Sequence, residues 1–342
     1  MKTTEHLSPV RLPDLPIGAE AELWDSIIIG GGPAGLSAAL ALGRSRRRTI
    51  VIDAGQPRNR FASHMHTVLG QEGTPPEELL ARGRAEVAQY GGVLHHGAVR
   101  EVRESTNTRG PRRMIVSLAG GPLLMARTVI AASGVSDHLP PIPGLGERWG
   151  ATVLHCPYCH GWEVRGQRLG VLAAGPMALH QAELLRQWSD RLTFFSAAAE
   201  PLDDAVVRRL RARGVVIEPS PVIEVLGTGT AISTVLLENG QRVEIDAIFT
   251  AGEIRPHDRY LTPLGLERTE NPMGSFLKTD FAGKTSHERI WAPGNISNPS
   301  ANVPMSISAG TFAGATANMA LVTEDFDLAE AAQPLDSASA VK

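Results

Sequence analysis

Cysteine is almost absent. The 342-residue chain has two, Cys156 and Cys159. One closely spaced pair cannot staple a chain of this length, so a disulfide-scaffolded secreted domain is excluded. Excess charge is lacking too. A formal net charge of −3 gives no general attraction to nucleic acid or an anionic membrane, and neither partner is expected. No apolar run reaches the ~18 residues that a bilayer span requires. Residues 1–22 mix charges with prolines, lack the apolar core of a signal peptide, and read as a flexible tail. With no export signal, the expected localisation is cytoplasmic, where thiols are kept reduced.

The chain is long enough for about two domains, and 42% hydrophobic residues supply their cores. Residues 24–29 (WDSIII) predict a strand, Gly30 to Gly35 (GGGPAG) a tight turn, and LSAALALGRS a helix. A second strand, Thr49–Ile52, ends at Asp53, which completes a βαβ dinucleotide unit. Gly30 makes the turn, Gly32 lets a pyrophosphate approach the backbone, and Gly35 permits close helix–strand packing. Pro33 and Ala34 open a helix whose free N–H groups face the anion. Asp53 can accept both ribose hydroxyls and would repel a 2′-phosphate. The motif alone leaves NAD and FAD open.

Further strands are expected at Val93–Val99, Arg113–Leu118, Thr128–Ala132 and Arg289–Ala292, and a helix from Met305 to Val322. Small-residue turns at Ser133-Gly134 and Gly294-Asn295 end two remote apolar strands, which places both beside the first glycine turn. One domain therefore comprises 23–135 and 253–325, interrupted by an insertion at 136–252, with a tail over 326–342. Proline-rich Asp137–Pro143 and Gly252–Pro256 are the expected connections. The fold class is α/β, with two Rossmann-like three-layer domains.

The insertion opens on Cys156-Pro157-Tyr158-Cys159-His160-Gly161. This spacing suits a reversible disulfide and lowered thiol pKa values. A zinc site recruiting His155 and His160 competes, but no second Cys-x-x-Cys exists to complete it, and no metal is expected. Two inert buried thiols are the bland alternative. His160 and His155 are candidate acid/base groups because imidazole titrates near neutrality. His64 and His66 follow in a loop after Asp53. Trp149, Trp162 and Trp188 read as packing for the insertion.

These motifs together resemble the low-molecular-weight thioredoxin reductase family of flavoproteins, over Trp24 to about Val322. The resemblance implies FAD at the first site and a homodimer. It implies flavin contacts from Val99, Ser133, Gly134, Gly294, Asn295, Val303 and Pro304. Asn295 stands where the family usually has Asp. The inserted domain of that family normally binds NADPH through its own glycine turn and arginines. Here Ala173 replaces the first glycine, and Ser196 to Ala199 carry no arginine. Charge-assisted hydrogen bonds contribute roughly 1.5–3 kcal/mol each, so the site reads as degenerate toward NADPH. His160 replaces the family's usual aspartate after the second cysteine. This combination resembles the branch of disulfide-forming oxidases of gliotoxin and holomycin biosynthesis. That branch implies a small-molecule dithiol substrate attacking Cys156, a flavin-facing Cys159, and O2 as acceptor giving H2O2. Two alternatives remain: a disulfide reductase using NADPH, NADH or ferredoxin, and a flavin-binding redox sensor without turnover.

Overall fold

Every strand of the first glycine-turn unit is buried on both faces, which explains its continuous apolar run. In the computed structural model, residues 23–105 and 112–333 are described, so the expected tail at 1–22 and the last residues, 334–342, lie outside them. Leu23–Ile29 pairs in parallel with Thr49–Asp53 on one side and Leu123–Ala131 on the other. The seven-stranded sheet runs Val93–His96, Thr49–Asp53, Leu23–Ile29, Leu123–Ala131, Met114–Leu118, Val99–Glu104, and Ile290–Trp291 also pairs with Leu123–Ala131. Strand alternation sorts the side chains. Ile28, Val51, Ile130 and Trp291 face helices Pro33–Arg44, Pro76–Gln89 and Val303–Ala331. Ile27, Ile29, Ile50 and Ile52 face a second cluster containing Tyr260, Leu261 and Leu277.

The expected strand over Val93–Val99 is two strands, broken where the Gly97 N–H bonds the Asp53 carbonyl at 2.9 Å. The last helix is also longer than the expected Met305–Val322 and reaches Ala331. Its polar end is not a tail. Glu324 accepts from Arg113, Arg127 and Arg289 at 2.6, 3.3 and 3.1 Å, and Asp325 from Arg127 and Arg47 at 2.6 and 2.8 Å. Arg127 also reaches Asp25 at 2.9 Å. An amphipathicity reading misses such an end, because ion pairs rather than apolar side chains bind it to the sheet.

The inserted unit has a five-stranded parallel sheet, ordered Val216–Glu218, Leu192–Phe195, Leu169–Leu172, Ala247–Thr250, Val153–Leu154. Leu169, Val171, Phe194 and Phe249 pack on helices that supply Ala182, Leu185 and Leu210. Leu172, Phe195 and Ile248 pack on the antiparallel sheet Val222–Leu226, Thr234–Leu237, Arg242–Glu244. The two chain crossings between the units pair with each other. Val135–His138 and Glu253–Pro256 form an antiparallel ribbon, with Glu253 opposite His138.

Glu324→Ala leaves three arginines without their shared carboxylate. It is expected to lower unfolding free energy by about 3 kcal/mol, as broken buried pairs do. Chemical denaturation followed by far-UV circular dichroism measures this.

Candidate active site

Four segments remote in sequence converge on the first glycine turn. Gly30 has φ +104°, and a Cβ there would lie 2.4 Å from the Ala132 carbonyl oxygen. A Cβ at Gly35 would meet the Gly30 oxygen at 1.9 Å, so the helix sits directly on its own turn. Gly32 differs: nothing lies within 4 Å of its Cβ position, which opens on the cavity. The helix that follows has no side-chain N-cap hydrogen bond and no acid in its first turn. Its first N–H groups are thus available to an anion. Asp53 ends the next strand at the cavity wall, and its carboxylate accepts no hydrogen bond from the described residues. These features fit the diphosphate and ribose of a dinucleotide.

The cavity, about 310 Å³, joins this cradle to the cysteines. Gly30, Gly32, Pro33, Ala34 and Asp53 line one end, and His155, Cys156, Cys159 and His160 another. Ser133, Gly134, Asn295 and Val303 lie on its wall. The other candidates stand back from it. Gly35 packs behind the turn, and Gly294, at φ +82°, brings its Cβ position to 3.0 Å from Ala34. Val99 packs against the hydrophobic core rather than the cavity, and Pro304 is the second residue of the last helix. Ser133 Oγ is committed behind the wall, donating to the His257 carbonyl at 2.6 Å and lying 2.9 Å from Tyr260 Oη.

Cys156 and Cys159 form a disulfide with Cα atoms 5.2 Å apart. Cys156 caps the short helix Pro157–His160, and the Cys159 N–H donates to its Sγ at 3.2 Å. That donor favours a thiolate on Cys156 when the pair is reduced. Among the described residues no group of three or more His, Cys, Asp or Glu side chains could hold a metal ion.

Both histidines of the motif are shifted. Burial pushes the His160 imidazole below its ordinary pKa; Glu163 opposes this and His66 adds to it. Burial does the same to His155, and the Arg58 guanidinium is the next cause. His66 lines the cavity and reaches Glu72 at 2.6 Å and Glu163 at 3.5 Å, bridging the loop after Asp53 to the redox segment. Trp149, expected to be packing, also lines the cavity, 6.5 Å from the His155 ring. Trp162, by contrast, is 65% exposed beneath Arg165. Arg58, Asn59 and Met65 line the site without any signal that singled them out in the sequence. A loop arginine carries no periodicity and no motif.

Asn295 is explained by its amide. Nδ2 lies within hydrogen-bond distance of the carbonyls of Asn298, Pro299 and Ala301, at 3.1, 3.2 and 2.9 Å, and ties off the loop before the last helix. An aspartate has no donor to offer there.

With this geometry in view, the sequence matches the pyridine nucleotide-disulphide oxidoreductase family over residues 24–314. The chain belongs to that family. It is 31% identical to thioredoxin reductase sirT of Leptosphaeria maculans over 319 residues, which span 89% of this chain and 96% of the relative. Thioredoxin reductase tcpT of Claviceps purpurea is 31% identical over 316 residues, with the same coverage. Among solved structures, HlmI superposes with a TM-score of 0.85 at 40% identity, over 90% of this chain and 96% of that one. An Agrobacterium tumefaciens oxidoreductase gives 0.82 at 39%, over 88% and 99%. The resemblance read from the motifs is therefore a family relationship, and this is a thioredoxin reductase-like disulfide oxidoreductase. No helix among the described residues is long and apolar enough to cross a membrane.

Two outcomes follow for this oxidoreductase. His155 and His160 have folded pKa values below the ordinary ~6.5. Below that pH the unfolded chain binds more protons than the folded one, so stability falls on acidification. Melting temperature is expected to hold above about pH 7.5 and to drop below about pH 6.5, less steeply in a His155→Asn, His160→Asn double variant. Asn295→Asp sets a carboxylate against three carbonyls. It should lower stability by about 1–3 kcal/mol and open the 298–301 loop to limited proteolysis.

Proposed function

We propose that the protein is an FAD-dependent dithiol oxidase. It forms an intramolecular disulfide in a small-molecule dithiol through Cys156 and Cys159, with O2 as final acceptor. One observation carries this reading: a single cavity holds the dinucleotide cradle and the disulfide, whereas the matching strand end of the inserted sheet presents an acid. There Ser196 donates to Glu200 at 2.6 Å, and Glu200 also accepts from the Leu202 N–H at 3.1 Å. A carboxylate at that strand end disfavours a nicotinamide 2′-phosphate.

The residues divide the work as follows. A substrate thiolate attacks Cys156 Sγ, and the Cys156–Cys159 bond breaks with its electron pair passing to Cys159. The second substrate thiolate attacks the substrate sulfur of the mixed disulfide and expels Cys156 as a thiolate. The product leaves as a disulfide, and the protein keeps two electrons as a reduced pair. His160, beside Cys159, takes one of the two protons released by the substrate thiols, and the other goes to solvent. Bound FAD supplies a two-electron acceptor for that pair and a route to O2, so that dithiol plus O2 gives disulfide plus H2O2. Gly32, the first N–H groups of the Pro33–Arg44 helix, and Asp53 would hold the cofactor.

The names of the fungal relatives favour a second reading, a disulfide reductase. A panel of dithiols in air, with oxygen uptake and peroxide followed and no nicotinamide added, separates the two. Turnover with stoichiometric peroxide, lost by at least about 10³-fold in Cys159→Ser, is the expected result. No turnover with any dithiol, together with anaerobic flavin reduction by NADPH, NADH or reduced ferredoxin, would establish the reductase instead.

A further inference from the structure

Arg58 touches the connecting ribbon, the loop before the last helix and the redox segment together. Its Nε and Nη2 donate to the two oxygens of Asp137 at 2.7 and 2.6 Å. Nη1 donates to the Pro299 carbonyl at 3.1 Å, and Nη2 lies 3.4 Å from His155 Nε2. The Asp137 side chain is only 5% exposed, so this fork is held in place from behind.

The contact to His155 decides which ring nitrogen carries its proton. Guanidinium has donors and no acceptor, so the Nε2 that faces it must present a lone pair. The ring proton then sits on Nδ1, which is buried, and the Thr250 backbone favours a proton on this ring. A second proton would have to enter at Nε2, against the Arg58 N–H group.

We infer that Arg58 is a positioning residue that locks His155, the neighbour of Cys156, as a neutral Nδ1–H imidazole and reserves proton uptake in the exchange for His160. The inference rests on the dithiol-exchange reading for its purpose, but its geometry stands without it. Charged and polar groups reach His155 from each side. Arg58 acts from the loop after Asp53 and Asp137 from the ribbon. His160 acts from the redox helix, and the Thr250 backbone from the inserted sheet. Arg58 and His160 oppose protonation, whereas Asp137 and Thr250 favour it. With Arg58 neutralised, Asp137 is left unpaired within reach of the ring, and both changes act in one direction.

The test uses the full-length oxidised protein with its flavin, labelled with 15N-histidine, and needs neither dithiol nor oxygen. His155 is assigned by its loss in His155→Asn. Three variants are titrated beside wild type: Arg58→Gln, Arg58→Lys, and the paired Arg58→Gln, Asp137→Asn, which keeps a neutral hydrogen-bonded couple and guards against misfolding. Wild type should show the Nδ1–H tautomer and a His155 midpoint below that of a free histidine. In Arg58→Gln the midpoint should rise by about one unit or more, with the Nε2–H form appearing. The paired variant should show a smaller rise, and Arg58→Lys should restore the low midpoint. An Nε2–H tautomer in wild type, or an unchanged midpoint in both glutamine variants, would overturn the inference. Absence of dithiol turnover would bear only on the proposed function.

Discussion

The whole architecture turns on a place where backbone touches backbone. At Gly30 and Gly35 the first strand, its turn and its helix approach so closely that a single added carbon would overlap a carbonyl oxygen. The last helix joins the same contact from nearly three hundred residues away, since a Cβ at Gly310 would lie 2.0 Å from the Ala34 oxygen. Close packing of this kind leaves no room for the turn to drift. It fixes the open face at Gly32 and the acid at Asp53, and so the direction from which a dinucleotide can enter. Strand ends at Ala132 and Gly294 are then drawn to the same point.

The inserted unit supplies what the cradle lacks, a pair of sulfur atoms that can gain and lose electrons. Two electrons can pass from the pair to a flavin only if both occupy one enclosure. The ribbon of Val135–His138 and Glu253–Pro256 carries the chain across and back at adjacent points, so the insertion arrives as a unit. Arg58 and Asp137 brace that crossing and reach the residue before Cys156. Electrostatics divides the two histidines. At His155 the Arg58 guanidinium outweighs Asp137, whereas at His160 the Glu163 carboxylate outweighs His66. A proton-accepting role suits the second better than the first.

Much of this was legible in the amino-acid order because strong local rules applied. The glycine spacing, the acid after the second strand and the Cys-x-x-Cys each follow from chemistry that tolerates few substitutes. Their convergence on one cavity could be expected from the small-residue turns at Ser133 and Gly294. What escaped was set by tertiary contact. The run to Ala331 depends on four arginines from distant strands and loops gripping Glu324 and Asp325, so polar sequence there looked like a frayed end. Asn295 reads from sequence as an altered flavin contact, and only the fold shows that its amide nitrogen also ties off its own loop. Arg58 gave no signal, because a loop arginine's partners lie in segments 79, 97 and 241 residues away.

In the proposed cycle electrons leave a dithiol through Cys156–Cys159 and reach a flavin in the adjoining cradle. Anaerobic rapid mixing of the flavin-loaded enzyme with excess dithiol, followed at the flavin absorption band, tests it most directly. Bleaching is expected in the wild-type enzyme. In Cys159→Ser, where no Cys156–Cys159 disulfide can form, the flavin should stay oxidised and the dithiol should be recovered unchanged. Flavin bleaching by dithiol at the wild-type rate in Cys159→Ser would contradict it.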